Sequence, residues 1–127
     1  MNSKIQIKRR VSCLLISLVA SQVHAAGTCD SDRGARLFAK CAICHSKDEA
    51  APGGAGPNLY HVIGRKIAAQ EGFPYSEAME QREGVWSVEA LDRFIASPMT
   101  DMPGTMMAFA GFKKEQDRRD LICFLQP

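Results

Sequence analysis

The stretch that most constrains this chain is CAICH at 41–45: Cys41 and Cys44 two residues apart, with His45 directly after. Whatever these three side chains hold lies within one turn of backbone, and the remaining chain has to wrap it. Cysteines so spaced can grip a metal ion, exchange disulfides or carry a covalently bound group. The residues around them decide which.

The N-terminal surroundings point to export. Lys4, Lys8, Arg9 and Arg10 form a basic opening, and residues 11–20 (VSCLLISLVA) are an apolar run. Val23 and Ala25 then stand at the two positions a signal peptidase reads. This pattern predicts a secretory signal peptide over residues 1–25, cut after Ala25, and a single domain over residues 26–127 in the periplasm. The run is too short to span a bilayer, which takes about 20 residues, so no transmembrane segment is expected in the mature protein. Of the 16 basic residues, four leave with the signal and none of the 14 acidic ones does, so 12 basic residues face 14 acidic ones at a net charge of −2. A basic footprint for nucleic acid is therefore excluded. The compartment is oxidising, where cysteines are normally occupied.

Periodicity predicts an all-α domain with three to four helices and two long loops. Ser31 or Asp32 can cap a helix through RGARLFAKC, where Gly34, Leu37, Phe38 and Cys41 recur at helical spacing. SKDEAAPGGAGPN reads as a surface loop, and residues 59–75 have no sustained period. Irregular stretches this long are unusual unless they wrap a site. Ser87 caps a second helix with Val88, Leu91, Phe94 and Ile95 on one face. Pro98 suits the first position of a short helix. The last helix is EQDRRDLICFLQ, with Leu121, Ile122, Phe124 and Leu125 apolar. No strand series is visible.

Structural zinc wants four ligands, usually from two cysteine pairs, and only one pair is present. A thioredoxin-like dithiol needs a βαβ setting, which is lacking. The third reading, C-x-x-C-H, is the attachment signature of c-type haem: Cys41 and Cys44 form thioethers to the two vinyl groups, and His45 lies under the iron. An electron-transfer haem needs a sixth ligand, and methionine raises the potential. Met99, Met102, Met106 and Met107 are the candidates, clustered in MTDMPGTMM. Any one of them can instead be core filler.

The runs GARLFAKCAICHS, GPNLYHVIGRK, GFPYSEAM, VWSVEAL, PGTMMAFAG and RRDLICFL occur in that order. In them the chain resembles the class I cytochromes c, from about Arg33 to its end. The resemblance implies the cytochrome c fold wrapped around one covalent haem c. Cys41 and Cys44 match the thioether anchors, and His45 the proximal ligand. The carbonyl of Pro57 matches the acceptor for the His45 ring N–H, and Met107, rather than Met106, the axial methionine. Arg65, Tyr75, Ser76, Trp86 and Thr105 match donors around the propionates, and Gly34 and Phe38 the crossing of the first helix with the last, against Leu121 and Phe124. Two positions depart from the family. Phe94 replaces a tyrosine near the methionine sulfur, and Met79 replaces an asparagine, so the pocket should be drier. Lysines around the exposed haem edge are fewer, with Lys40, Lys113 and Lys114 remaining and Met99 and Met106 where lysines are common. His61 is expected to face solvent. Whether Cys29 and Cys123 bridge stays open, since the bond needs a Cα separation of about 4.4–6.8 Å.

The function so implied is soluble, periplasmic, one-electron transport by a monomer, with transient redox partners: a quinol-oxidising complex or dehydrogenase as donor, a terminal oxidase as acceptor. The alternative is a dedicated electron-acceptor subunit of one periplasmic dehydrogenase. Enzyme activity is not expected, because a haem peroxidase wants an open sixth position and a distal acid–base residue, and no histidine here is a persuasive candidate.

Overall fold

Asp30 opens the first helix: its carboxylate accepts the Arg33 N–H at 2.8 Å, and α1 runs Ser31–Phe38. The computed structural model describes residues 28–127; the expected signal segment lies outside the described residues. The cap is one residue earlier than the sequence suggests. Asp30 can cap because its backbone is extended (φ −109°, ψ 98°) while Ser31 is already helical. α1 also stops before Cys41. Residues 39–44 continue as turns, with the Cys41 and Ala42 N–H groups both donating to the Phe38 carbonyl.

A long irregular stretch follows, pinned by a single antiparallel bridge between Lys66 and Val85. It contains α2 (Glu77–Glu80), one turn that periodicity could not reveal, with Ser76 accepting the Met79 N–H as its cap. Ser87 caps α3 (Val88–Ala96) as expected, accepting from Ala90. Val88, however, is exposed, and Ala90 joins Leu91, Phe94 and Ile95 in the core. Val88 lies in the opening turn, and the neighbouring elements cover the face centred on Leu91 and Phe94. α4 (Pro98–Asp101) is a single turn with proline at its start, and α5 runs Glu115–Leu125. The domain thus has three helices of eight or more residues and two single turns, with no named strand among the described residues.

α1 packs on α5, and α3 on both α5 and α4. The α1–α5 crossing is tight because Gly34 lacks a side chain: a Cβ there would overlap the Asp120 carbonyl. One turn on, Phe38 meets Phe124 with ring centroids 5.5 Å apart. Cys29 is bonded to Cys123, with Cα atoms 6.1 Å apart, tying the start of the domain to α5. The core beneath holds Trp86, Leu91, Phe94, Ile95, Leu121 and Ile122.

Candidate haem site

The turn after α1 is what gathers the motif. The Cys44 N–H and the His45 N–H both donate to the Cys41 carbonyl, at 3.0 and 2.9 Å. This brings all three side chains into one helical turn of chain. Cys41 is half-buried and Cys44 exposed, and neither takes part in the bridge between Cys29 and Cys123. Burial pushes the Cys41 thiol up to about 11, against a smaller opposing pull from Lys40.

His45 is held from behind. Its Nδ1 lies 2.6 Å from the Pro57 carbonyl oxygen. A carbonyl can only accept, so Nδ1 carries the proton and Nε2 keeps its lone pair for a metal. The loop comes this close because residue 56 is glycine, where any Cβ would overlap the imidazole ring. The Gly56 N–H donates to the Cys44 carbonyl at 2.9 Å, which locks the loop to the motif.

That loop has an organiser which sequence reading passed over. Asn58 donates to the Asp48 and Ala51 carbonyls at 2.8 and 2.7 Å, and its Oδ1 accepts the Tyr60 N–H at 2.6 Å. Its own N–H donates to Gln70 Oε1 at 2.7 Å. An asparagine bonding to the backbone two residues on is an Asx turn, and the polar residue directly after Gly-Pro was the available signal. Arg65 braces the same loop by donating to the Asn58 and Tyr60 carbonyls at 2.6 and 3.1 Å.

The four methionines separate by burial. Met99 and Met106 are 57% and 67% exposed, while Met102 is core. Met107 is half-buried against the core, its N–H directed to Thr105 Oγ1 at 3.3 Å. Leu59, Ile63, Met79 and Phe109 are likewise half-buried and packed on the core. Half-exposed apolar side chains of this kind suit contact with a flat apolar macrocycle. Polar atoms suit the same group. Tyr75 and Thr105 hydroxyls accept backbone N–H groups from Gln70 and Met107. Among the described residues, neither these hydroxyls nor the buried Trp86 indole donates to a protein acceptor. Ser76 accepts the α2 cap bond and also keeps a proton to give. The donor set fits carboxylates at the edge of an otherwise apolar group. Phe94 is buried against Trp86 with ring centroids 5.1 Å apart, and His61 is exposed and stacked on Tyr60.

A thiol pair followed by an oriented imidazole on one turn is the signature of a haem protein of the c type. Comparison with known proteins agrees. The family description "Cytochrome c" matches residues 31–127. Cytochrome c of Stellaria longipes is 42% identical over 98 residues, covering 76% of this chain and 91% of that one. Cytochrome c2 of Rhodomicrobium vannielii is 39% identical over 106 residues, covering 84% and 83%. The solved structure of cytochrome cH from Methylobacterium extorquens superposes with a TM-score of 0.71 at 31% identity, over 76% of this chain and 96% of that chain. The chain belongs to the cytochrome c family, as a class I c-type cytochrome with one covalently attached haem c. Members of this family are electron carriers.

Proposed function

We propose that this protein is a soluble periplasmic carrier of single electrons. Cys41 and Cys44 hold the haem through thioethers, and His45 and Met107 ligate its iron. The observation that carries the reading is the 2.6 Å contact from His45 Nδ1 to the Pro57 carbonyl inside the C-x-x-C-H turn. It leaves one imidazole nitrogen free and keeps it aimed. The bound haem supplies the one-electron change. The chain's part is to keep the ligands and surroundings constant between oxidation states. Thr105 steadies the backbone of Met107, and Arg65 and Asn58 stiffen the loop behind His45. Tyr75, Ser76, Trp86, Thr105 and Arg65 direct donors toward the propionates, and the half-buried apolar side chains exclude water. Residues 1–25 act as the signal and residues 26–127 form the working domain, a monomer that meets its redox partners transiently. Were His45 and Met107 both to hold the iron, no position would be left for oxygen, which would suit a carrier and not an oxygen-activating enzyme.

Two measurements test this reading. Acidified organic solvent should leave the haem on the chain; release of intact haem would remove the thioether assignment. Met107→Ala should abolish the ferric iron–sulfur charge-transfer band and admit carbon monoxide to the ferrous iron, while Met106→Ala should do neither. The reverse pattern would move the ligand to Met106.

A further inference from the structure

The loop that carries Met107 has few bonds of its own. Between α4 and α5 its backbone is held by Thr105 N–H to the Met102 carbonyl at 3.1 Å, Phe109 N–H to the Met107 carbonyl at 2.9 Å and Phe112 N–H to the Ile95 carbonyl at 2.8 Å, and at its far end Arg118 Nη1 donates to the Phe112 and Lys113 carbonyls at 3.1 and 3.2 Å. Its position therefore depends on what anchors each end. At the start, the anchor is a charged pair. Arg82, just after α2, donates from Nη1 to Asp101 Oδ2 at 2.6 Å and to the Asp101 carbonyl at 3.3 Å. The two side chains are only 23% and 16% exposed, so solvent screens them weakly. Arg93 approaches Asp101 no closer than 3.9 Å and is 61% exposed, so it contributes little. A second contact lies close by: a Cβ at Gly104 would stand 3.3 Å from the Ala78 Cβ on α2. From Asp101 a chain of short-range bonds leads through Met102 and Thr105 to the Met107 N–H. The other end of the clasp, α2, begins at Ser76 beside Tyr75, two of the donors assigned above.

We propose that Arg82 and Asp101 are a positioning pair that holds the Met107 loop against α2, and so sets how often the methionine leaves the iron. This rests on the reading of Met107 as the sixth ligand. Neither residue touches the haem iron; they act by restraining the segment that does. A charge-assisted guanidinium–carboxylate bond shielded from solvent is among the stronger single restraints a loop can have, and a tenfold change in an equilibrium corresponds to about 1.4 kcal/mol. Loss of the clasp should therefore raise the opening of the loop by about tenfold.

The test is stopped-flow binding of imidazole to the ferric holoprotein, with imidazole high enough that loss of the native ligand limits the rate. Arg82→Met and Asp101→Asn should each raise that limiting rate about tenfold, and the double variant should be no faster than either single. Arg82→Lys, which keeps the charge without the planar fork, should fall between. Imidazole is used because an anionic probe would also feel the altered charge. A purely structural role predicts lower denaturation midpoints with an unchanged limiting rate, and that result would overturn the proposal. So would additive single effects. Met107→Ala separates the two levels. If it admits imidazole at once while the Arg82 and Asp101 variants match the parent, only the clasp is wrong. If it leaves binding and spectrum unchanged, the ligand assignment fails and takes the clasp with it.

Discussion

Asp120 shows how much one residue can organise. It is 1% exposed, yet ionisable. Its Oδ1 accepts from the Asp30 N–H at 2.9 Å and from Gln116 Nε2 at 2.7 Å, and its Oδ2 from Arg33 Nη1 at 2.5 Å. Arg33 also pairs with Asp117. The Asp30 N–H, then Arg33 and Gln116, hold the Asp120 carboxyl below its usual range against the opposing effect of burial. A carboxyl depressed in the folded state stabilises above its unfolded pKa, and that stability is lost as pH falls through the folded pKa. Asp120→Asn should thus lower the thermal midpoint at neutral pH and flatten its decline toward acid. A parallel acid profile in the variant would show that Asp120 does not drive it. Phe94 is the second residue of consequence. Phe94→Tyr places a hydroxyl in the core beside Trp86, which costs about 1–3 kcal/mol if unpaired. If the hydroxyl reaches the Met107 sulfur, it withdraws electron density from a ligand of ferric iron and raises the reduction potential. An unchanged potential in titration would place residue 94 away from the sulfur.

Among elements, the α1–α5 crossing matters most. Gly34 allows the approach, Phe38 and Phe124 fill it, and Arg33 with Asp120 bridges it. The Cys29–Cys123 bond adds a covalent tie across 94 residues of sequence. For a loop of this length, chain entropy alone gives an upper figure of about 4–5 kcal/mol. Covalent haem already restricts the unfolded chain, so Cys29→Ser with Cys123→Ser should lower the denaturant midpoint by less than that figure. Equilibrium unfolding of the holoprotein measures it. Thiol counting under denaturing, non-reducing conditions should find no free thiol in the parent, and two per chain would rule the bridge out.

At the scale of the whole molecule, three lysines come together around Phe112. The Lys40 ammonium sits 5.2 Å from the centre of the Phe112 ring, and Phe112 is followed directly by Lys113 and Lys114. Without residues 1–25 the chain carries a net charge of −2, so this cluster opposes the mean. A charge asymmetry of that kind steers an acidic partner even from a negative protein. Exposed Met99 and Met106 add apolar contact. Electron transfer to the native partner should therefore slow only modestly with salt, and Lys113→Glu with Lys114→Glu should slow it at low salt. A rate that rises with ionic strength would exclude docking through this cluster. Among the described residues, no helix is long and apolar enough to cross a membrane.

What the sequence determined alone was local. CAICH puts two thiols and an imidazole within five residues of one another, and the cap of α3 and the apolar periods of α3 and α5 need only near neighbours. The Ser87 cap was legible because a cap bond spans three residues. Tertiary structure decided whatever depends on distant partners. It selected which imidazole nitrogen is free, because the acceptor is a carbonyl 12 residues away. It gave the four methionines different burial, with Met102 in the core, Met107 half-buried and Met99 and Met106 exposed, since burial is a property of the packed molecule. It exposed Val88, buried Asp120 and joined Arg82 to Asp101, none of which hydrophobic periodicity encodes. The physical reason is common to all of these: a period of 3.6 residues records which face of a helix is apolar, and nothing about which charged or polar group another segment brings to meet it.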